Sequence, residues 1–177
     1  MPELNRNILK MARFGTPRGC MVAIADEKAL YFLSFADHSG LEAEIERFAL
    51  KNRVAVISGR TSITESIMTE LVQYFSGTLT VFKTPCLFLG TPFQKMVWQE
   101  LQKIPYGTTC SYRGLARAIG RPQAFRAVAQ ANGANPLALI VPCHRVVYAN
   151  GTLGGYAGGV ERKKWLLDHE KQKLAYR

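Results

Sequence analysis

Residues 111–147 read SYRGLARAIGRPQAFRAVAQANGANPLALIVPCHRVV. Ser111 is a preferred N-cap residue, and Tyr112, Leu115, Ala116 and Ile119 follow it at helical spacing until Gly120 ends the run. Pro122 suits the start of a second short helix running through Ala131, with Ala124, Ala127, Val128 and Ala131 as a small, close-packing face and Arg126 as its most prominent long side chain. Two short helices joined by a Gly-Arg-Pro turn have the outline of a helix-turn-helix, in which the second helix meets DNA.

Downstream, residues 137–141 (LALIV) form a short apolar run expected to be buried, and Pro142 breaks it directly before Cys143 and His144. A thiol attacks only as its thiolate, so a neighbouring imidazole that takes the proton and a positive field from Arg145 make Cys143 a candidate nucleophile. Adjacent residues of an extended chain point to opposite sides, so contact between Cys143 and His144 requires a turn or a bridging water. Cys20, Cys86 and Cys110 carry no such neighbours and read as small hydrophobes. With no CxxC pair among the four cysteines, neither a disulfide framework nor a structural metal site is expected.

Upstream, Thr91, Pro92 and Gln94 suit the N-cap, first and third positions of a helix whose stripe is Phe93, Val97, Trp98 and Leu101. That helix is expected to open a second domain, which divides the chain into an α/β scaffold over residues 1–89 and a mainly α domain over residues 90–177 that contains the helix-turn-helix. In the first part, residues 19–25 and 29–35 read as a hairpin. Leu41, Ile45, Phe48 and Ala49 mark one helix, residues 53–58 read as a short buried strand, and residues 81–89 as another extended segment. Ser62 with Glu65 has the form of a capping box, opening a helix that Gly77 stops. The expected fold class is therefore a small α/β sheet with helices followed by a helical domain.

The 177 residues carry a net charge of +10. Between Glu100 and Glu161 there is no acidic residue, while Lys103, Arg113, Arg117, Arg121, Arg126 and Arg145 all fall there. Such a local positive field suits a polyanion, whose counterions are released on binding. No apolar run approaches the roughly 20 residues that a membrane span needs, and the first residues lack the form of a secretory signal, so an intracellular protein is expected.

The run PCHRVV, preceded by RAVAQANGANP and followed by GTLGGYAGG and KKWLLDHE, resembles the active-site block of the O6-alkylguanine-DNA alkyltransferases, also called methylated-DNA–protein-cysteine methyltransferases. The similarity extends upstream through SYRGLARAIGRPQAFRAV and FQKMVWQELQKIPYGT, covering residues 93–170, about half the chain.

The resemblance implies that Cys143 accepts the alkyl group irreversibly, in a single turnover, from O6-alkylguanine and also from O4-alkylthymine in DNA. It implies that His144 deprotonates the thiol through a water, that Glu170 orients the imidazole, that Tyr112 protonates the leaving guanine and that Asn135 holds the active-site turn. Arg126 would be the arginine finger that fills the stack once the lesion is flipped out. Tyr112, Arg113, Arg121, Ala124, Ala127 and Ala131 would share the DNA-binding surface with it. Pro142, Ala138, Val146, Gly154, Tyr156 and Ala157 would line the base pocket, where the glycines of residues 154–159 let backbone approach the base.

No cofactor is expected. Some members of the family bind zinc in the first domain, but Cys20, Cys86 and His38 stand at unsuitable spacings, so no metal is expected either. The expected partner is double-stranded DNA containing alkylated guanine, bound by a monomer without a membrane or an obligate protein partner. Three other readings stay open on the residues alone: a lesion binder without transfer, a cysteine hydrolase using Cys143 and His144, and a small transcription regulator.

Overall fold

The computed structural model describes residues 7–176, which divide into two compact units: one of residues up to 76 with 82–89, the other of residues 77–81 with 90–176. The first unit is built on a four-stranded mixed sheet of β1 (Asn7–Thr16), β2 (Gly19–Ala25), β3 (Leu30–Phe35) and β4 (Val54–Ser58), in the order β3-β2-β1-β4. β2 runs antiparallel to both β1 and β3, and β4 lies parallel to β1, with Leu9 opposite Val56. Helix α1 (Leu41–Asn52) supplies the crossover into β4 that a parallel pair requires. Its Leu41, Ile45 and Phe48 close a core with Leu9, Val22, Ile24 and Phe32. Helix α2 (Ser62–Ser76) packs on β1 and β2, so both faces of β2 are covered and Met21 through Ala25 are all buried.

Four readings are corrected here. β1 was not foreseen; it lies inside the sheet, but of its ten residues only Leu9 and Ala12 are buried, so the strand lacks the alternation that betrays one. The 53–58 run is an edge strand of half-buried and exposed residues rather than a buried one, and Arg53 instead ends α1 in the left-handed region with φ 55°. The α2 cap is formed by Thr61 and Thr64, each backbone N–H donating to the other's hydroxyl at 2.8 and 3.1 Å, while Ser62 donates to Glu27. Residues 81–89 are irregular apart from one bridge between Leu30 and Cys86.

In the second unit, α3 (Pro92–Leu101) begins with the Thr91–Gln94 capping box and buries Val97, Trp98 and Leu101. A two-residue strand β5 (Cys110–Ser111) leads into α4 (Tyr112–Ala118), whose N-cap Ser111 accepts from Gly114 N–H at 2.9 Å. Gly120 adopts φ 71°, open only to glycine without strain, and turns the chain toward α5 (Phe125–Gly133) through a short 3-10 turn at Pro122–Ala124. The Trp98 indole donates to the Ala131 carbonyl at 2.8 Å and so ties α3 to α5. The chain then passes a 3-10 turn at Cys143–Arg145, strand β6 (Val146–Val147) and helix α6 (Val160–Ala175). No helix among the described residues is long and apolar enough to cross a membrane.

Candidate active site

Parallel pairing of β5 with β6, Cys110 opposite Val146 and Ser111 opposite Val147, joins the start of α4 to the segment that follows Cys143. Tyr112, the first residue after β5, is thereby held next to the cysteine.

The apolar run is buried as expected, but it folds as a turn. Val141 N–H donates to Leu137 O, Ile140 N–H to Ala138 O, and the buried Leu139 takes φ 70°, a strained setting for a branched side chain. Asn135 holds this turn with both ends of its amide: Nδ2 donates to Val141 O at 2.8 Å and Oδ1 accepts from Leu137 N–H at 2.9 Å. Pro142, at φ −80°, then starts the tight turn in which Cys143 and His144 sit side by side.

Cys143 is buried. Burial pushes its thiol above the ordinary cysteine range, against the opposing pull of the Asn135 amide, the Lys163 charge and the backbone N–H groups of residues 143 and 144. His144 is fully enclosed, and its Nε2 lies 2.7 Å from Glu170 Oε1. Burial holds the imidazole below its ordinary value although Glu170 favours its proton.

Glu170 is equally enclosed. It accepts from Arg145 Nε at 2.9 Å, Arg145 Nη2 at 3.0 Å and Gly107 N–H at 3.0 Å. Burial opposes its ionisation, but the hydrogen bonds and charges of His144 and Arg145 outweigh that and keep the carboxyl well below the usual carboxylate range. An ionised Glu170 makes Nε2 the protonated nitrogen of His144, which leaves Nδ1, buried without a partner among the described residues, free to accept a proton.

Arg145 therefore does not serve Cys143 as expected. Its guanidinium is committed to Glu170 and, at 2.6 Å, to the Ile104 carbonyl. The positive charge that acts on the thiol belongs to Lys163, which sequence reasoning missed. Lys163 is fully buried, with Nζ donating to the Gly154 carbonyl at 3.5 Å. Its signal was present: Lys163, Leu166, Leu167 and Glu170 fall on one face of α6 at helical spacing.

Of the remaining pocket candidates, Tyr112, Gly154 and Tyr156 lie beside this cluster. Tyr112 is half-buried, and its hydroxyl is pushed up by burial and by Tyr148 and Cys143. A Cβ on the buried Gly154 would meet Tyr112 Oη at 2.5 Å, so that glycine allows the contact. The Tyr156 hydroxyl is buried without a partner among the described residues and is raised well above its ordinary value, chiefly by burial. Val146 and Pro142 are buried, Ala138 is half-buried and Ala157 is exposed. On the helix-turn-helix, Arg113, Arg121, Arg126 and Ala127 are exposed, Ala124 is half-buried, and Ala131 faces inward against Trp98.

Fold and site thus define a helix-turn-helix unit that carries a buried Cys-His-Glu cluster. A family profile described as "6-O-methylguanine DNA methyltransferase, DNA binding domain" matches residues 92–172. The methylated-DNA–protein-cysteine methyltransferase of Salmonella typhimurium is 57% identical over 102 residues, 57% of this chain and 60% of that relative. A probable methylated-DNA–protein-cysteine methyltransferase of Acanthamoeba polyphaga mimivirus is 49% identical over 116 residues, 65% of this chain and 77% of the relative. The crystal structure of Mycobacterium tuberculosis OGT in complex with DNA matches with a TM-score of 0.79 at 36% identity, covering 93% of this chain and 94% of that one. The chain belongs to the O6-methylguanine DNA methyltransferase family. Its match spans 60% of the length of the Salmonella relative.

Proposed function

We propose that this protein repairs DNA by moving the alkyl group of O6-alkylguanine, and of O4-alkylthymine, onto Cys143. The observation that carries this reading is the enclosed cluster itself: a cysteine beside a histidine whose second nitrogen is held by a buried, ionised glutamate. Sγ attacks the alkyl carbon, an S–C bond forms as the O–C bond breaks, and the thiol proton passes through a water to His144 Nδ1. Guanine is a poor leaving group as an anion, and Tyr112 supplies the proton that lets it depart. Lys163 stabilises the developing thiolate. The product is a thioether, and no group in the cluster reverses it, so each molecule acts once.

The target oxygen lies inside the duplex, so the nucleotide must be extruded at a cost of a few kcal/mol. Arg126, exposed on α5, fills the vacated stack, while Arg113 and Arg121 hold phosphates and Ala124 and Ala127 allow close approach. The base then rests among Pro142, Ala138, Val146, Gly154, Tyr156 and Ala157, with Asn135 keeping the turn in shape. Repair takes place inside the cell, where the chain acts as a monomer on double-stranded DNA.

Replacing Cys143 by Ala tests the reading. The variant keeps its affinity for a duplex containing O6-methylguanine and loses all transfer. Residual methyl loss from the duplex would assign the chemistry elsewhere.

A further inference from the structure

The outward side of the helix-turn-helix carries an opening that shares Tyr112, Arg113 and Arg126 with the proposed repair chemistry but adds Phe125, Tyr148 and Asn150, which that chemistry leaves without a role. A cavity of about 660 Å³ is bordered by Tyr112, Arg113, Phe125, Arg126, Tyr148 and Asn150. The Phe125 ring holds two guanidinium groups, Arg113 at 5.2 Å and Arg126 at 5.8 Å from its centroid. Tyr148 leaves 53% of its surface exposed and tilts against Tyr112 with ring centroids 5.4 Å apart. Among the described residues no carboxylate borders the space, and neither Cys143 nor His144 lines it.

Flat aromatic faces beside unopposed guanidinium groups select a ligand that is both planar and anionic, which is a nucleotide. The volume lies within the range of small-ligand sites, about 300–1,000 Å³. Tyr112 belongs both to this cavity and to the neighbourhood of Cys143. A nucleotide held in this cavity therefore shares Tyr112 with the one presented to Cys143.

We propose that this cavity takes a second nucleotide of the damaged strand, the immediate neighbour of the alkylated one, with its base against Tyr148 and its phosphate on Arg113. The inference rests on the DNA-repair reading above. It makes Tyr148 and Phe125 residues that sense the sequence next to the lesion, since purines stack more strongly than pyrimidines.

A binding cycle tests it with the full chain and O6-methylguanine duplexes. Tyr148 is exposed, so Tyr148→Ala spares the fold, and Tyr148→Phe keeps the ring. Tyr148→Ala weakens binding about tenfold, within the range for loss of one base–aromatic stack, and Tyr148→Phe restores it. An abasic site on one flank of the lesion weakens the wild type to a similar degree, and Tyr148→Ala then adds nothing. Losses that add on both flanks, or non-additivity only for an abasic site opposite the lesion, overturn the proposal. Wild-type protein that binds these duplexes but transfers no methyl group would instead overturn the repair reading.

Discussion

His144 donates from Nε2 to Glu170 at 2.7 Å with both side chains fully enclosed. The same carboxylate takes the Arg145 fork and the Gly107 N–H, so one buried group fixes the tautomer of the base and ties α6 to the active-site turn. Structure and chemistry share a residue here, and its removal affects both.

Glu170→Ala leaves the Arg145 cation and the imidazole buried without their partner, a change that costs about 3–5 kcal/mol. Denaturant unfolding is expected to show that loss. Glu170→Gln keeps the shape but not the charge, and transfer is expected to slow at least tenfold. A Glu170→Gln variant that transfers at the wild-type rate would remove the glutamate from the relay.

Stability should fall in acid, in two stages. The unfolded chain protonates His144 below about 6.5 while the enclosed imidazole resists, so the unfolded state binds more protons and stability drops as pH falls through that range. Glu170 extends the loss below 4.5, because its folded carboxyl stays ionised where the unfolded one takes a proton. Each group contributes a slope of up to about 1.4 kcal/mol per pH unit. Unfolding midpoints measured across this range should decline accordingly, and His144→Asn should flatten the upper stage. A flat wild-type profile between neutrality and pH 5 would contradict the buried neutral imidazole.

Two neighbouring glycines should respond oppositely to a methyl group. A Cβ at residue 154 meets Tyr112 Oη at 2.5 Å, whereas one at residue 155 meets nothing within 4 Å. Gly154→Ala is therefore expected to displace the tyrosine and slow transfer at least tenfold, and Gly155→Ala to leave the rate within a factor of two. Equal rates in timed transfer assays would detach Tyr112 from the chemistry.

Arg126→Ala should slow repair of duplex DNA far more than transfer from a free O6-alkylguanine base, because only the duplex needs its stack filled. Parallel rate measurements on the two substrates check this. Equal losses on both would give the arginine a different task.

The helix-turn-helix was legible in the sequence because its caps and turn, Ser111, Gly120 and Pro122, are set by local chemistry. The Thr91–Gln94 box was legible for the same reason. Strand β1 was not, because its place inside the sheet is fixed by partners on both sides rather than by its own alternation. The positive charge near Cys143 was misassigned for a related reason. Arg145 adjoins the cysteine in sequence, but the turn directs it to Glu170, and the cation that acts on the thiol arrives from α6, some 20 residues away, as Lys163.

The central claim is tested most directly by the mass of the peptide bearing Cys143 after the protein meets a duplex containing O6-methylguanine. The account predicts one added methyl group on that peptide, in an amount equal to the lesions repaired and never exceeding the protein supplied. An unmodified Cys143 alongside repaired DNA, or repair that continues beyond one event per molecule, would contradict it.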